Sequence, residues 1–271
     1  MTPSAPLTLR QQALAALCLN DPAAKVAATY ALWAQAQAGL QPDPAEGLAE
    51  PADLPGRPAR PQLVSPKHVA QRSPVTLAGR AALLHAIAHI EFNAINLALD
   101  AVWRFGGLPI DYYTDWLRVA AEEALHHTLL VEHLASLGHA YGDFDAHDGL
   151  WTMTLRTRGD FVARMALVPR TLEARGLDAT PPMQAKLRRA GDLRAVEILD
   201  VILRDEIGHV AIGNRWYAWA CAREGLDPLA HYPVLVRQYS APPLRPPLNR
   251  AARLAAGFSE AELAWLDPDG A

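Results

Sequence analysis

Apolar residues recur every three or four positions along four long stretches of the chain, the spacing that gathers them on one face of an α-helix. The first stretch runs from about Thr76 to Phe105 and stops at Gly106-Gly107 with Pro109 just beyond, a C-terminal stop signal. The second runs from about Asp111 to Leu137 and ends at Gly138. A loop rich in Gly, Asp and His, Gly138 to Gly149, leads to a third stretch that reaches Arg175, interrupted near Gly159-Asp160 and kinked at Pro169. Gly176 to Pro182 reads as a further break, because proline removes a helical donor and crowds the preceding turn. The fourth stretch is strongest from Asp192 to Arg223 and is closed by Gly225 and Pro228.

Around these helices the pattern is looser. Residues 1–38 are Ala-rich, and Asp21-Pro22 reads as an N-cap followed by proline at the first helical position. Residues 39–75 carry eight prolines, too many for a regular element, and form either a flexible spacer or an arm that wraps the helical body. Residues 76–225 form the body, and 226–271 a C-terminal extension that packs on it, with a last short helix opened by the capping box Ser259-x-x-Glu262. The expected fold is all-α, an antiparallel four-helix bundle. Composition agrees: Ala, Leu and Arg dominate, and residues that favour strands are thin.

A formal charge of -4 leaves no extended surface for nucleic acid. Cys18 and Cys221 lie far apart without metal-ligand spacing, which suits a reducing cytoplasm. The first twenty residues lack the form of a secretory signal, and the most apolar run, Ala81 to Val102, is broken by His, Glu, Asn and Asp, so no membrane span is expected.

Those interruptions carry the chemistry. One face of the first helix reads Leu84, Ile87, Ala88, Glu91, Ala94, Ile95, Ala98; the second reads Trp116, Val119, Ala120, Glu123, His126, Leu130, Val131; the fourth reads Leu199, Ile202, Leu203, Glu206, His209, Val210, Gly213. An isolated buried carboxylate costs several kcal/mol, so it persists only when paired, protonated or bound to a cation. Glu and His three residues apart project side by side and suit one iron or manganese ion. A di-metal carboxylate bundle takes one Glu from each of two helices and Glu-x-x-His from each of the other two. Here that set is Glu91, Glu123-x-x-His126, Glu173 and Glu206-x-x-His209, with Glu91 and Glu173 the only glutamates in their stretches. Chance alone gives about 0.4 Glu-x-x-His pairs in a chain of this composition, so the weight rests on order and spacing. The step from Glu91 to Glu123 is 32 residues and that from Glu173 to Glu206 is 33, as two similar hairpins would give. Glu122 and Asp205 precede the two motifs and are candidates to orient the ligand imidazoles, Asp205 for His126.

Other residues have plainer readings. His85 and His89 face away from Glu91 and read as packing or hydrogen-bonding groups, His127 and His133 flank the second motif, and Trp216 and Tyr217 read as core aromatics. Arg170 is either a partner for a carboxylate near the site or a surface arginine.

The motifs HAIAHIEFNAINLALD (85–100), EEALHH (122–127), LEARGLDATP (172–181) and DEIGHV (205–210) resemble those of an uncharacterised bacterial ferritin-like family, related in its metal motif to tRNA-modifying di-iron hydroxylases. The resemblance covers roughly residues 63–228. It implies a ferritin-like bundle holding two iron ions, or manganese or a mixed pair, that react with dioxygen or peroxide. The expectation is an oxidoreductase that hydroxylates or oxidises a small-molecule or modified-nucleoside substrate with electrons from a separate donor, since no flavin, nicotinamide or iron-sulfur motif is seen. Iron handling and peroxide removal are the alternatives, and a homodimer is compatible with all three.

Overall fold

The computed structural model describes residues 7–69 and 73–267. Among them it is all-helical, with no strand and one isolated bridge, Leu63 to Ala146. The chain divides into two compact units, Met1–Ala70 with Ala82–His147, and Gln71–Ala81 with Asp148–Ala271.

The first unit contains α1 (Leu9–Leu17), α2 (Pro22–Gln37), most of α3 (Leu77–Arg104) and α4 (Ile110–Ser136). Thr8 and Gln11 cap α1 reciprocally, and Asp21 caps α2 with Pro22 in its first turn. Helices α3 and α4 form a hairpin that turns at Gly106-Gly107, where Gly107 takes φ +72°, a conformation glycine adopts without strain. The hydroxyls of Tyr112 and Tyr113 donate to the carbonyls of Ala101 and Phe105 at 3.0 and 2.9 Å and tie the turn end together.

The Pro-rich segment lies against these helices. Buried Arg10 donates to the carbonyls of Asp43 (3.0 Å), Glu46 (2.6 Å) and Trp103 (2.6 Å). Gly107 N–H donates to Pro44 O at 2.8 Å, and Arg104 pairs with Glu50 at 3.1 Å. At Gly56 the arm runs so close to α1 that a Cβ would stand 2.1 Å from Cys18 O, so only glycine fits. Beyond it, Val64 N–H reaches Ala146 O at 2.8 Å. The wrapped arm, rather than the free spacer, is what these bonds describe.

Helix α3 is long and apolar enough to cross a membrane, yet 78 % of its most apolar window is buried within the protein. That burial makes it a core helix of the fold.

The second unit contains α5 (Gly149–Arg156), α6 (Phe161–Leu167), a π-helical turn (Val168–Glu173), α7 (Ala174–Arg189), α8 (Leu193–Glu224), α9 (Pro228–Gln238), α10 (Arg250–Ala255) and α11 (Glu260–Leu266). The expected interruption at Gly159-Asp160 is present, with Asp160 capping α6, and at Pro169, where a kink was expected, the chain is in the first turn of the π-helix Val168–Glu173. The expected break at Gly176 to Pro182 is not. Helix α7 runs straight through Pro181 and Pro182. The physical reason is a tertiary contact: Pro181 cannot donate to Leu177 O, and Asn249 Nδ2, 72 residues along the chain, donates to that carbonyl instead, at 3.1 Å. Asp192 caps α8, and Gly225 ends it in the left-handed conformation.

The C-terminal residues belong to this unit's core. Leu248, Ala252, Phe258 and Leu263 are buried with Ala174, Leu177 and Val210. Arg253 grips Asp178 with two bonds, 2.7 and 3.0 Å, and Arg170, itself buried, pairs with Glu262 of α11 and donates to Asn214 Oδ1 at 2.6 Å.

Candidate metal centre

In the first unit the apolar faces of α3 and α4 bring together one glutamate and one Glu-x-x-His. Glu91 is 3 % exposed, and Glu123 and His126 are fully buried. His126 Nδ1 lies 3.2 Å from Glu91 Oε2 and 3.4 Å from Glu123 Oε2, and one donor atom from each of the three falls within 4.8 Å of the others. Burial and the neighbouring Glu123 carboxylate push the Glu91 carboxyl up to about 8, with His126 acting in the opposite sense. Two carboxylates confined this way favour a proton or a cation between them. Next to His126, His127 places Nδ1 2.9 Å from Ala88 O, which fixes Nδ1 as the donor, and burial holds this imidazole neutral by pulling it down to about 4. It is a strut that sets α4 against α3 at the height of the site.

In the second unit Glu173, Glu206 and His209 are all buried. Glu206 and His209 share one face of α8, with His209 Nδ1 3.9 Å from Glu206 Oε1. Glu173 closes the π-turn, a feature often found where a helix must turn a functional side chain inward. The π-turn is pressed onto α8 at Gly213, where a Cβ would stand 2.6 Å from that of Pro169. Three residues after Glu173, a Cβ on Gly176 would lie 3.9 Å from the Glu206 carboxyl carbon, so α7 passes Glu206 at its smallest residue.

The flanking acids divide. Asp205 receives the guanidinium of its neighbour Arg204 at 2.8 Å, and Glu122 is half-buried beside Glu123. Arg170, which the sequence left between two roles, is the buried partner of Glu262 and lies over the rings of Tyr217, Tyr232 and Phe258. Tyr217 packs there and donates to Pro228 O at 2.8 Å. His85 accepts from Gly142 N–H at 2.9 Å, as a packing and hydrogen-bonding histidine should. What sequence reasoning missed lies beside the arm: buried Lys25, and the pair Asn93 and Asn96. The asparagines were visible as polar interruptions in the apolar run of α3, at the same spacing as the ligand motif.

The fold and the site define an all-helical protein with a buried set of glutamates and histidine that offers donor atoms to a metal ion. The chain belongs to a family described as a protein of unknown function (DUF455), whose model matches residues 18–264. It is 53 % identical over 216 residues to an uncharacterized protein of Haemophilus influenzae, covering 77 % of this chain and 75 % of that one. No solved structure matches it.

Proposed function

We propose that the protein is a non-haem di-metal oxidoreductase, with iron as the first choice and manganese as the second, that uses dioxygen to hydroxylate or oxidise an organic substrate. The observation that carries this reading is that each unit presents the same buried set, a glutamate with a Glu-x-x-His on another helix. In this reading Glu91, Glu123 and His126 hold one ion and Glu173, Glu206 and His209 the other, in a ferritin-like bundle. Two such ions held by these residues would supply a redox centre able to react with dioxygen, its electrons replaced by the separate donor. The chain's own part is to balance their charge with four carboxylates, to present two neutral imidazoles and to keep water out of an apolar interior. Asp205 is assigned to orient His126, with Glu122 as its counterpart.

The substrate class, a small molecule or a modified nucleoside, rests on the resemblance of the motifs, the need for a separate electron donor on the lack of a flavin, nicotinamide or iron-sulfur motif in the sequence, and a cytoplasmic setting on the two widely separated cysteines. Metal analysis of protein purified without chelator tests the centre: about two iron or manganese ions per chain are expected, falling to about one in Glu173→Ala. A chain that takes up neither metal overturns the reading. Oxygen uptake that follows a candidate substrate separates oxidation from simple metal handling.

A further inference from the structure

The first unit contains a cavity of about 430 Å³ between the Pro-rich arm and the side of α3. It has the size of small-molecule sites. Its helical wall is His89, Phe92, Asn93 and Asn96, turned about 100 to 160° around the helix from Glu91, so it is separate from the candidate metal ligands. Arg57 and prolines of the arm form the opposite wall, and Tyr141, from the loop after α4, closes one side.

The hydrogen bonds of this wall fix what it offers. Lys25 Nζ donates to Leu17 O (3.0 Å), Gly56 O (2.8 Å) and Asn96 Oδ1 (2.5 Å). Burial and Arg57 pull the Lys25 ammonium down to about 7, but three acceptors for three protons are the arrangement that holds it charged. Because lysine only donates, the atom it touches on Asn96 must be the oxygen. The amide nitrogen then faces the other way; Asn96 is 1 % exposed, and Nδ2 has no partner. A buried donor left unpaired is a cost that a bound acceptor removes.

A second donor follows by the same logic. Asn93 Nδ2 donates to the backbone carbonyl of His89 at 2.9 Å and lies 2.9 Å from His89 Nε2, which makes Nε2 the acceptor. His89 Nδ1 therefore carries the proton and donates to Tyr141 Oη at 2.9 Å. The Tyr141 hydroxyl proton is left to point elsewhere. The cavity thus presents an amide N–H, a phenol O–H and a guanidinium, with a buried ammonium behind Asn96, and no carboxylate among its lining residues.

We propose that this cavity is a binding site for a small organic anion, whose carboxylate or phosphate oxygens accept from Asn96 Nδ2 and Tyr141 Oη beside Arg57, with its apolar part against Phe92 and the prolines. Arg10, Lys25 and the arm's tight seat at Gly56 then serve to hold Arg57 opposite α3. The ligand's bound pose requires no metal.

Calorimetry on the full chain with benzoate and with phenyl phosphate, and with benzyl alcohol as the uncharged control, tests this. At least one of the two anions should bind with a Kd in the millimolar range or tighter and the alcohol should not; the tighter anion names the source. Asn96→Asp keeps the oxygen that Lys25 needs but replaces the free donor with a negative charge, and should weaken binding at least tenfold. Tyr141→Phe should weaken it several-fold and guards against a folding defect in the first variant. Glu123→Ala, which removes a candidate metal ligand, should bind the anion unchanged, so a failure of the di-metal reading would leave this result standing. No binding of either anion, or equal binding by wild type, Asn96→Asp and Tyr141→Phe, overturns the proposal, as does loss of binding in Glu123→Ala alone, which would place the anion on the metal.

Discussion

His85 and Glu91 sit within two turns of one another on α3, and both are polar groups in an apolar run, yet burial moves them in opposite directions. Glu91 lies among carboxylates and gains a proton; His85, stacked 5.3 Å from the Tyr141 ring and accepting from Gly142, loses one and is pulled down to about 4. The native state therefore binds fewer protons at His85 than the unfolded chain does. The stability this contributes is present above about pH 6.5 and is lost as pH falls through about 4. Thermal melts at pH 7 and pH 4.5 should show a drop of several degrees in wild type. In His85→Gln, whose amide oxygen can still accept from Gly142, that drop should shrink; an equal drop in both would show that His85 does not carry it. The buried glutamates and histidines were legible at this scale because helical periodicity makes a carboxylate conspicuous on an apolar stripe. Lys25 and Arg10 were not, because most of what holds them is backbone carbonyls, and a carbonyl leaves no trace in the sequence.

Helices tell a similar story one level up. Their ends were readable, since Gly, Pro, Asp and Ser act locally: Asp21, Gly225 and Ser259 all cap as their sequence suggests. The run through Pro181-Pro182 was not readable, because the group that satisfies Leu177 O is Asn249, on α10. Asn249 does two jobs, as it also caps α10 by accepting from Ala252 N–H at 3.2 Å. Asn249→Ala should cost about 1 to 3 kcal/mol, the loss of a cap together with an orphaned carbonyl; urea denaturation gives the value, and a change under half a kcal/mol would mean that water replaces the amide. The π-turn depends on a different kind of fit. Gly213→Ala puts a methyl group 2.6 Å from the Pro169 Cβ and 2.8 Å from its Cγ, atoms of a rigid ring, so something must shift. Overpacking of this kind costs about 1 to 3 kcal/mol. Since Glu173 closes the same turn, the variant should also lose metal, while Gly208→Ala, on the same helix with nothing within 4 Å, should lose neither.

For the molecule as a whole, the segments that looked peripheral are parts of the two cores. The C-terminal residues supply Glu262 to the buried Arg170 guanidinium and apolar cover to Leu177 and Val210. Its role was hidden because the Arg170 to Glu262 pair spans 92 residues. Breaking a buried ion pair by removing one partner costs about 3 to 5 kcal/mol, so a chain ending at Ser240 should be insoluble or melt far below the full chain. The two units also share a thermodynamic consequence of the proposed centre. Each buries two carboxylates and an imidazole that are costly without a cation, so a metal that binds only the folded form adds its binding energy to folding. At a free metal concentration 100 times Kd the gain is about 2.7 kcal/mol, and for units of this size that corresponds to roughly 5 to 10 °C in Tm. Chelation should lower Tm by that amount, and ferrous iron or manganese should restore it where magnesium, which prefers an all-oxygen shell, does not. Glu123→Ala and Glu173→Ala, one in each unit, should each abolish part of the rise. If either variant keeps the whole of it, the metal is held by the other set alone.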